Sequence, residues 1–255
     1  MLRIIINADD FGGFQTCNDA VFELMMREKI SSSTILANGP FFMDAVTRAK
    51  NFPHYSFGAH LNISQFFPLI PDPIFQKSGM LDSDGAFRYR KFILPTPALI
   101  RAIQREWAAQ IAKISDTGIK ISHIDSHQHV HTRLWMYPIL KFLCQKFNIQ
   151  KIRSKFARCK FSRSGHLLKR TIRQLRGLPH RLIQTKILGL RSPDHFACLG
   201  DGLDLLASRR INSDMSIELM CHPGVPKFES DLPALLDDYE QKIRSPFQRI
   251  AYHEL

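Results

Sequence analysis

The sequence predicts an α/β protein, a single barrel-like domain built on parallel strands. Short apolar runs alternate with stretches of helical periodicity, which is the pattern of consecutive βαβ units. The chain has 255 residues, 44% of them hydrophobic, so it can bury a sizeable core without disulfide bonds. No repeat or linker divides it. We therefore expect one domain over residues 1–255, with its functional site at the carboxyl ends of the strands.

The predicted elements of the first 153 residues follow from apolar periodicity and from glycine or proline boundaries. In order, they are a strand at Leu2–Asn7, a loop at Asp9–Gly13, a helix at Thr16–Lys29, strands at Ser33–Ala37 and Ser56–Asn62 separated by a helix at Phe42–Lys50, a helix at Pro97–Thr117, a strand at Ser122–Ser126, a helix at Leu134–Phe147 and a short strand at Lys151–Arg153. Residues 64–95 are rich in proline and glycine and predict a long irregular excursion, which at that length is usually functional.

The last third of the chain gives fewer signals. The predicted elements there are a strand at Ser216–Cys221, a helix at Asp231–Arg244 and a final strand at Arg249–Tyr252. Residues 155–191 are predicted to be a basic insertion. Leucine and isoleucine recur in it at helical spacing and Pro179 divides it, so we expect two short amphipathic helices.

Composition narrows the class of protein. The five cysteines are odd in number and form no C-x-x-C pair, which argues against a disulfide framework and a zinc ribbon and favours reduced thiols in the cytoplasm. No apolar run reaches the ~18 residues of a membrane span. The opening residues lack the apolar core of a signal peptide.

Charge is unevenly distributed. The net charge is +12, yet residues 126–193 contain 16 Lys and Arg and no Asp or Glu. The rest of the chain is close to neutral. Such a block predicts an anionic partner, which could be nucleic acid, an anionic membrane or a phosphorylated substrate.

Polar side chains suited to metal binding or proton transfer stand at the ends of the predicted strands. They are Asp9, Asp10, His60, Asn62, Asp125, His127, His129, His131 and His222. Because the carboxyl ends of parallel strands converge on one face, these side chains are predicted to share one pocket. Carboxylates with several imidazoles are typical of a divalent-metal hydrolase.

Each residue also has an ordinary structural interpretation. Asp9 and Asp10 could be turn or cap residues, His60 a buried structural histidine, and His222 part of a turn. The stretch from His123 to His131 is harder to explain in that way. If it is extended, its odd positions place four histidines and Asp125 on one face, which makes a poor apolar core and favours a metal or catalytic role.

Three segments resemble the signatures of the YdjC-like carbohydrate deacetylases. They are Asn7–Gly12 (NADDFG), Gly58–Asn62 (GAHLN) and Asp125–His131 (DSHQHVH). Asn38-Gly39-Pro40 and Cys221–Gly224 (CHPG) stand where the family has similar segments. The resemblance covers residues up to about 153 and resumes near 216. It implies a TIM-barrel-like (β/α) barrel, incomplete or distorted, and removal of an N-acetyl group from an amino sugar.

The resemblance also implies roles for individual residues. Asp10, His60 and His127 would hold one divalent metal ion, Asp9 would be the general base and His222 the acid. On chemical grounds, Asp125 could orient a metal-bound histidine, and Asn62 could support the site or bind substrate. His129 and His131 could support the site, bind substrate or simply face solvent. The family metal is described as magnesium, although two imidazoles and a carboxylate suit zinc better. A homodimer is a further implication.

Alternative functions remain at this point. Two histidines and a carboxylate also form the facial triad of non-haem iron oxygenases, but the H-x-D pair His123–Asp125 lies in an α/β context. Nucleic-acid binding by residues 155–191 is disfavoured, because only Phe156 and Phe161 could stack on bases. The amphipathic helices could instead pack on the barrel or lie on an anionic membrane. The membrane interpretation would favour a glycolipid over a soluble N-acetylglucosamine oligosaccharide as substrate.

Overall fold

The computed structural model describes residues 1–90, 93–154, 183–184, 188–208 and 214–255. Most of the predicted basic insertion, with its two amphipathic helices, lies outside these residues. In the described part of the chain, no helix is both long and apolar enough to cross a bilayer.

The described strands form one parallel sheet. They are β1 (Leu2–Phe11), β2 (Ser32–Ile35), β3 (Ser56–Leu61), β4 (Ile121–Ser126), β5 (His195–Cys198), β6 (Ser216–Cys221) and β7 (Phe247–Arg249). Their order is β4-β3-β2-β1-β6-β5, and β7 pairs with the start of β1. Single parallel bridges continue from β4 to residue 152 and from residue 151 to residue 191. Over the described residues the sheet does not close, so the prediction of an incomplete α/β barrel is confirmed.

Helices follow most of the strands and cover the outside of the sheet. They are α1 (Gln15–Met26), α2 (Phe42–Ala49), α3 (Pro73–Lys77), α4 (Pro97–Ser115), α5 (Tyr137–Lys146), α6 (Leu199–Ser208) and α7 (Asp231–Leu236), with 3-10 helices at His127–Thr132, Leu134–Met136, Pro226–Phe228, Tyr239–Lys242 and Tyr252–Glu254.

Helix α4 shows how the sequence specifies these elements. The Thr96 hydroxyl accepts a hydrogen bond from the Leu99 amide, and Pro97 occupies the first turn, where its missing N–H costs nothing. Leu99, Ile103 and Trp107 follow at helical spacing and are fully buried. Burying each such side chain contributes roughly 1.5–3 kcal/mol.

Several predicted boundaries were wrong. Strand β1 runs on to Phe11, so Asp9 and Asp10 belong to the strand and not to a loop. The predicted helix Asp231–Arg244 ends at Leu236, because the backbone at Asp237 is extended (ψ 160°). The last strand lies at Phe247–Arg249, earlier than predicted. Sequence reasoning missed β5 and α6 altogether.

Candidate active site

The carboxyl edge of the sheet brings Asp10, His60 and His127 together. Asp10 lies near the end of β1, His60 in β3 and His127 directly after β4. One Asp10 oxygen, Oδ1, lies 2.9 Å from His127 Nδ1 and 3.2 Å from His60 Nε2. A possible ligand atom of each residue lies within 4.8 Å of the other two. This group, called the triad below, could hold a metal ion.

The charges within the triad are strongly coupled. Burial opposes ionisation of Asp10, but the hydrogen bonds from His127 and His60 hold its pKa well below the usual range. Burial also disfavours the His60 imidazolium, yet the carboxylates of Asp125 and Asp10 raise the pKa of His60 to about 10. The triad is therefore an electrostatically paired cluster and not an apolar contact.

Asp125 lies beside His60 in the β3–β4 register. Its Oδ1 is 2.7 Å from His60 Nδ1, so the carboxylate accepts the Nδ1 proton and leaves Nε2 toward Asp10. The Thr34 hydroxyl, on strand β2 at the other side of β3, lies 3.2 Å from the same His60 nitrogen. Together these contacts fix the orientation of the imidazole.

Asp9 has a different set of partners from its neighbour Asp10. Arg153 donates two hydrogen bonds to the two Asp9 oxygens, at 2.7 and 2.6 Å. The Asn7 side-chain nitrogen, Nδ2, donates a third to Asp9 Oδ1 at 2.8 Å. Although Asp9 is buried, the charges of Arg153 and His60 lower its pKa and keep it ionised. His222 Nε2 lies 3.8 Å from Asp9 Oδ2, just beyond hydrogen-bond distance.

Arg153 is the residue that sequence reasoning missed. It is fully buried and contacts three carboxylates, those of Asp9, Asp125 and Glu218. Burial disfavours the guanidinium charge, but these carboxylates raise its pKa well above the ordinary value. One signal could have found it: Arg153 stands at the end of a short predicted strand, where most of the predicted site residues also stand.

The histidine-rich segment after β4 is not extended, so the predicted shared face was wrong. A 3-10 helix starts at His127, and Gln128 and His129 have φ angles of 55° and 54°. His129 lies edge-on to Phe196, with ring centroids 5.6 Å apart. Only His127 of this segment belongs to the triad.

His131 and His123 occupy other surroundings. His131 Nε2 donates to the Arg153 carbonyl at 3.1 Å, which leaves Nδ1 to accept from the Ser126 hydroxyl at 2.6 Å. Burial lowers the pKa of His131 to about 4 and that of His123 to about 3. The His123 ring stacks on Tyr252, with centroids 3.5 Å apart.

His222 lies in the turn that follows β6. Its amide donates to Asp231 Oδ2 at 2.8 Å, and its ring stacks on Phe228 at a centroid distance of 4.2 Å. The turn requires Gly224, because φ is +76° and a Cβ would lie 2.2 Å from the Thr16 carbonyl oxygen. Stacking on Phe228 sets the plane of the His222 imidazole, whose Nε2 faces Asp9.

The Asn62 side chain is occupied by the loop that follows it. Its Nδ2 donates to the Gln65 carbonyl at 2.7 Å, and its Oδ1 accepts from the Ser64 amide at 2.9 Å. These bonds support the loop that follows β3.

Comparison with known proteins places this chain in a family. The model of the YdjC-like protein family matches residues 3–250, and this chain belongs to that family. A carbohydrate deacetylase of Geobacillus stearothermophilus is 30% identical over 86% of this chain and 78% of its own length. Matches to carbohydrate deacetylases of Oceanobacillus iheyensis (30% identical) and Listeria monocytogenes (36%) cover 58% of this chain, and 63% and 59% of those relatives.

A solved structure supports the fold. The crystal structure of an Enterococcus faecalis V583 protein, described as a cellobiose-phosphate cleavage protein, aligns over 99% of this chain and 98% of its own. The TM-score is 0.74 and the sequence identity 20%, so this likeness concerns the fold alone.

Proposed function

We propose that this chain is a metal-dependent carbohydrate deacetylase that hydrolyses the N-acetyl group of an amino sugar. The observation that carries the proposal is the division of labour between two neighbouring carboxylates. Asp10 pairs with two histidines, whereas Asp9 is held by Arg153 and lies 3.8 Å from His222. A metal-dependent hydrolytic site needs both a place for the metal and a separate base, and the relatives named carbohydrate deacetylases support this interpretation.

The triad fits a divalent ion. Asp10, His60 and His127 offer one oxygen and two nitrogen donors within 4.8 Å of one another, a set that suits zinc and also accommodates magnesium. When bound, such an ion polarises the amide carbonyl and lowers the pKa of a water molecule. Asp125 keeps the His60 Nδ1 proton in place, so that Nε2 is free to act as a ligand.

Asp9 is the general base. Because it is buried and ionised, one of its oxygens can accept the proton of the attacking water. Arg153 holds both Asp9 oxygens in a fork, and this fixes the position of the carboxylate. The proton therefore passes to a carboxylate whose position is fixed in advance.

His222 is the general acid. Hydrolysis of an amide releases an amine, which must be protonated to leave, and an imidazolium can donate that proton. Stacking on Phe228 and the backbone bond to Asp231 orient the ring before substrate binds.

Release of amine from defined substrates tests the function. Chitooligosaccharides and lipid-linked N-acetylglucosamine are incubated with the metal-stripped protein, to which single metals are added back. We expect amine and acetate in equal amounts, only with added metal. Lack of release from every N-acetylated sugar, with any metal, would overturn the proposal.

The location and assembly of the enzyme are part of the proposal. The protein acts as a single-domain homodimer in the cytoplasm, and the basic stretch 155–191 contacts anionic lipid, which would bring the site to a glycolipid. Co-sedimentation with vesicles of increasing anionic content, at low and high salt, tests the lipid contact. Protein that stays in the supernatant under all conditions would exclude it.

A further inference from the structure

Phe66 has an unusual backbone conformation. Its φ angle is +61°, in the left-handed region that bulky side chains rarely adopt, and its ring is only half buried. Such a conformation costs on the order of a few RT and persists only where the surrounding structure enforces it. The loop around Phe66 must therefore be held firmly.

Buried polar side chains of α4 and of two strand ends hold this loop. Both Glu106 oxygens accept backbone amides, from Leu69 at 3.0 Å and Ile70 at 2.8 Å, and Glu106 itself is fully buried. Asn38 Nδ2 donates to the Phe67 carbonyl at 3.0 Å.

The carbonyl of Phe66 itself accepts the Phe87 amide at 2.7 Å. Together with the bonds from Asn62 and Asn38, this leaves the loop little freedom. The backbone of Phe66 is consequently held in one conformation.

The Phe66 ring lies against the turn that follows Asp10. Gly13 donates its amide to the Asp10 carbonyl at 2.9 Å, and a Cβ on Gly13 would lie 3.5 Å from Phe66 Cε2. Phe14, also half buried, lies against Phe66 with ring centroids 5.7 Å apart. Two partly exposed aromatic rings therefore flank the turn that follows Asp10.

We propose that Phe14 and Phe66 form an aromatic platform that binds the pyranose ring of the substrate. A pyranose presents C–H groups on its faces and hydroxyls at its edges. Its partly positive C–H hydrogens are attracted to the negative face of an aromatic ring. Because the loop is already rigid, little conformational entropy is lost when the sugar binds. The platform rests on the proposed function, since it supplies the sugar specificity of that same site.

Calorimetric titration with N-acetylglucosamine trisaccharide tests the platform. The parent protein carries Asp9→Asn, so that the sugar is not consumed during the titration. Phe66→Gly removes the ring and suits the left-handed backbone, so the variant should fold. We expect trisaccharide binding about three- to tenfold weaker than in the parent, which corresponds to the loss of one aromatic contact. Phe66→Tyr should retain binding.

Phe142→Ala is the matched control, since Phe142 is a partly exposed phenylalanine (41%) on α5 and outside the loop. This variant should bind like the parent. The platform is wrong if Phe66→Gly also binds like the parent, or if the parent binds no trisaccharide. Acetate release by the wild type is measured separately. Weaker binding by Phe66→Gly without any acetate release would support the platform and reject the deacetylase function.

Discussion

Two buried histidines on neighbouring strands occupy opposite electrostatic environments. His60, at the rim of the barrel, contacts the carboxylates of Asp10 and Asp125, which raise its pKa to about 10. His123, two residues before Asp125 on β4, stacks on Tyr252, and burial lowers its pKa to about 3. A histidine among carboxylates can exchange its proton for a metal ion, whereas one stacked in the interior serves packing.

The largest expected effect is the loss of metal binding when a histidine of the triad is removed. His127→Ala takes one of the three ligands of the triad, so the variant should bind no stoichiometric metal by equilibrium dialysis and should lose activity. His131→Gln is the control, because His131 lies in the same segment but contacts Ser126 and Arg153. Full metal occupancy in His127→Ala would disprove the ligand assignment.

Substitutions of the two aspartates of β1 should differ in their effect on metal binding. Asp9→Asn should retain the metal and lower kcat by roughly 10²–10⁴-fold, since it removes a general base without removing a ligand. Asp10→Asn should lose the metal. If the two variants show the reverse pattern, the roles of Asp9 and Asp10 must be exchanged.

The sequence was sufficient to predict much of the rim but not its geometry. Apolar β-branched runs predict β1 and β3, and the polar residues at their ends supply Asp10 and His60. His127 could be found in the same way. Left-handed angles at Gln128 and His129 are rare for residues other than glycine, so the turn that separates His127 from His131 could not be predicted.

Predictions for the last third of the chain failed for similar local reasons. Strand β5 has only four residues (HFAC) and none is β-branched, so it gives no strand signal. Helix α7 ends early, and the chain then places the Tyr239 hydroxyl 3.1 Å from the Lys29 carbonyl. Such tertiary contacts override helical periodicity. Arg153 was missed because one arginine before a basic stretch looks like the start of that stretch.

A third prediction concerns stability at acid pH, where the interior histidines should matter. In the unfolded chain His131 has a pKa near 6.5, whereas in the folded protein it is about 4. As the pH falls through this window, the unfolded state takes up a proton that the folded state does not, so the free energy of unfolding decreases. The loss should reach about 3 kcal/mol from this residue. Urea unfolding at pH 7.5 and 4.5 measures it.

His131→Gln supplies the comparison for that measurement. The variant has no imidazole at this position, so its stability should fall less between the two pH values than that of the wild type. Equal losses in both proteins would show that the pKa of His131 is not lowered in the folded protein.

The smallest expected effect comes from Gly58, the residue of β3 that makes room for His123. A Cβ at this position would lie 2.5 Å from His123 Cε1 and 2.7 Å from Thr34 Cγ2. The imidazole cannot move away, because Tyr252 stacks on it. Gly58→Ala should therefore destabilise the protein by about 1–3 kcal/mol, as overpacking in a core does.

Gly200→Ala is the matched control, since no atom lies within 4 Å of a Cβ there and Gly200 is in α6. Thermal or urea unfolding compares the two variants. If Gly58→Ala is as stable as Gly200→Ala, the interior around His123 is looser than the stacked geometry indicates. If the loss disappears in the double variant with His123→Ala, the clash with the imidazole is its cause.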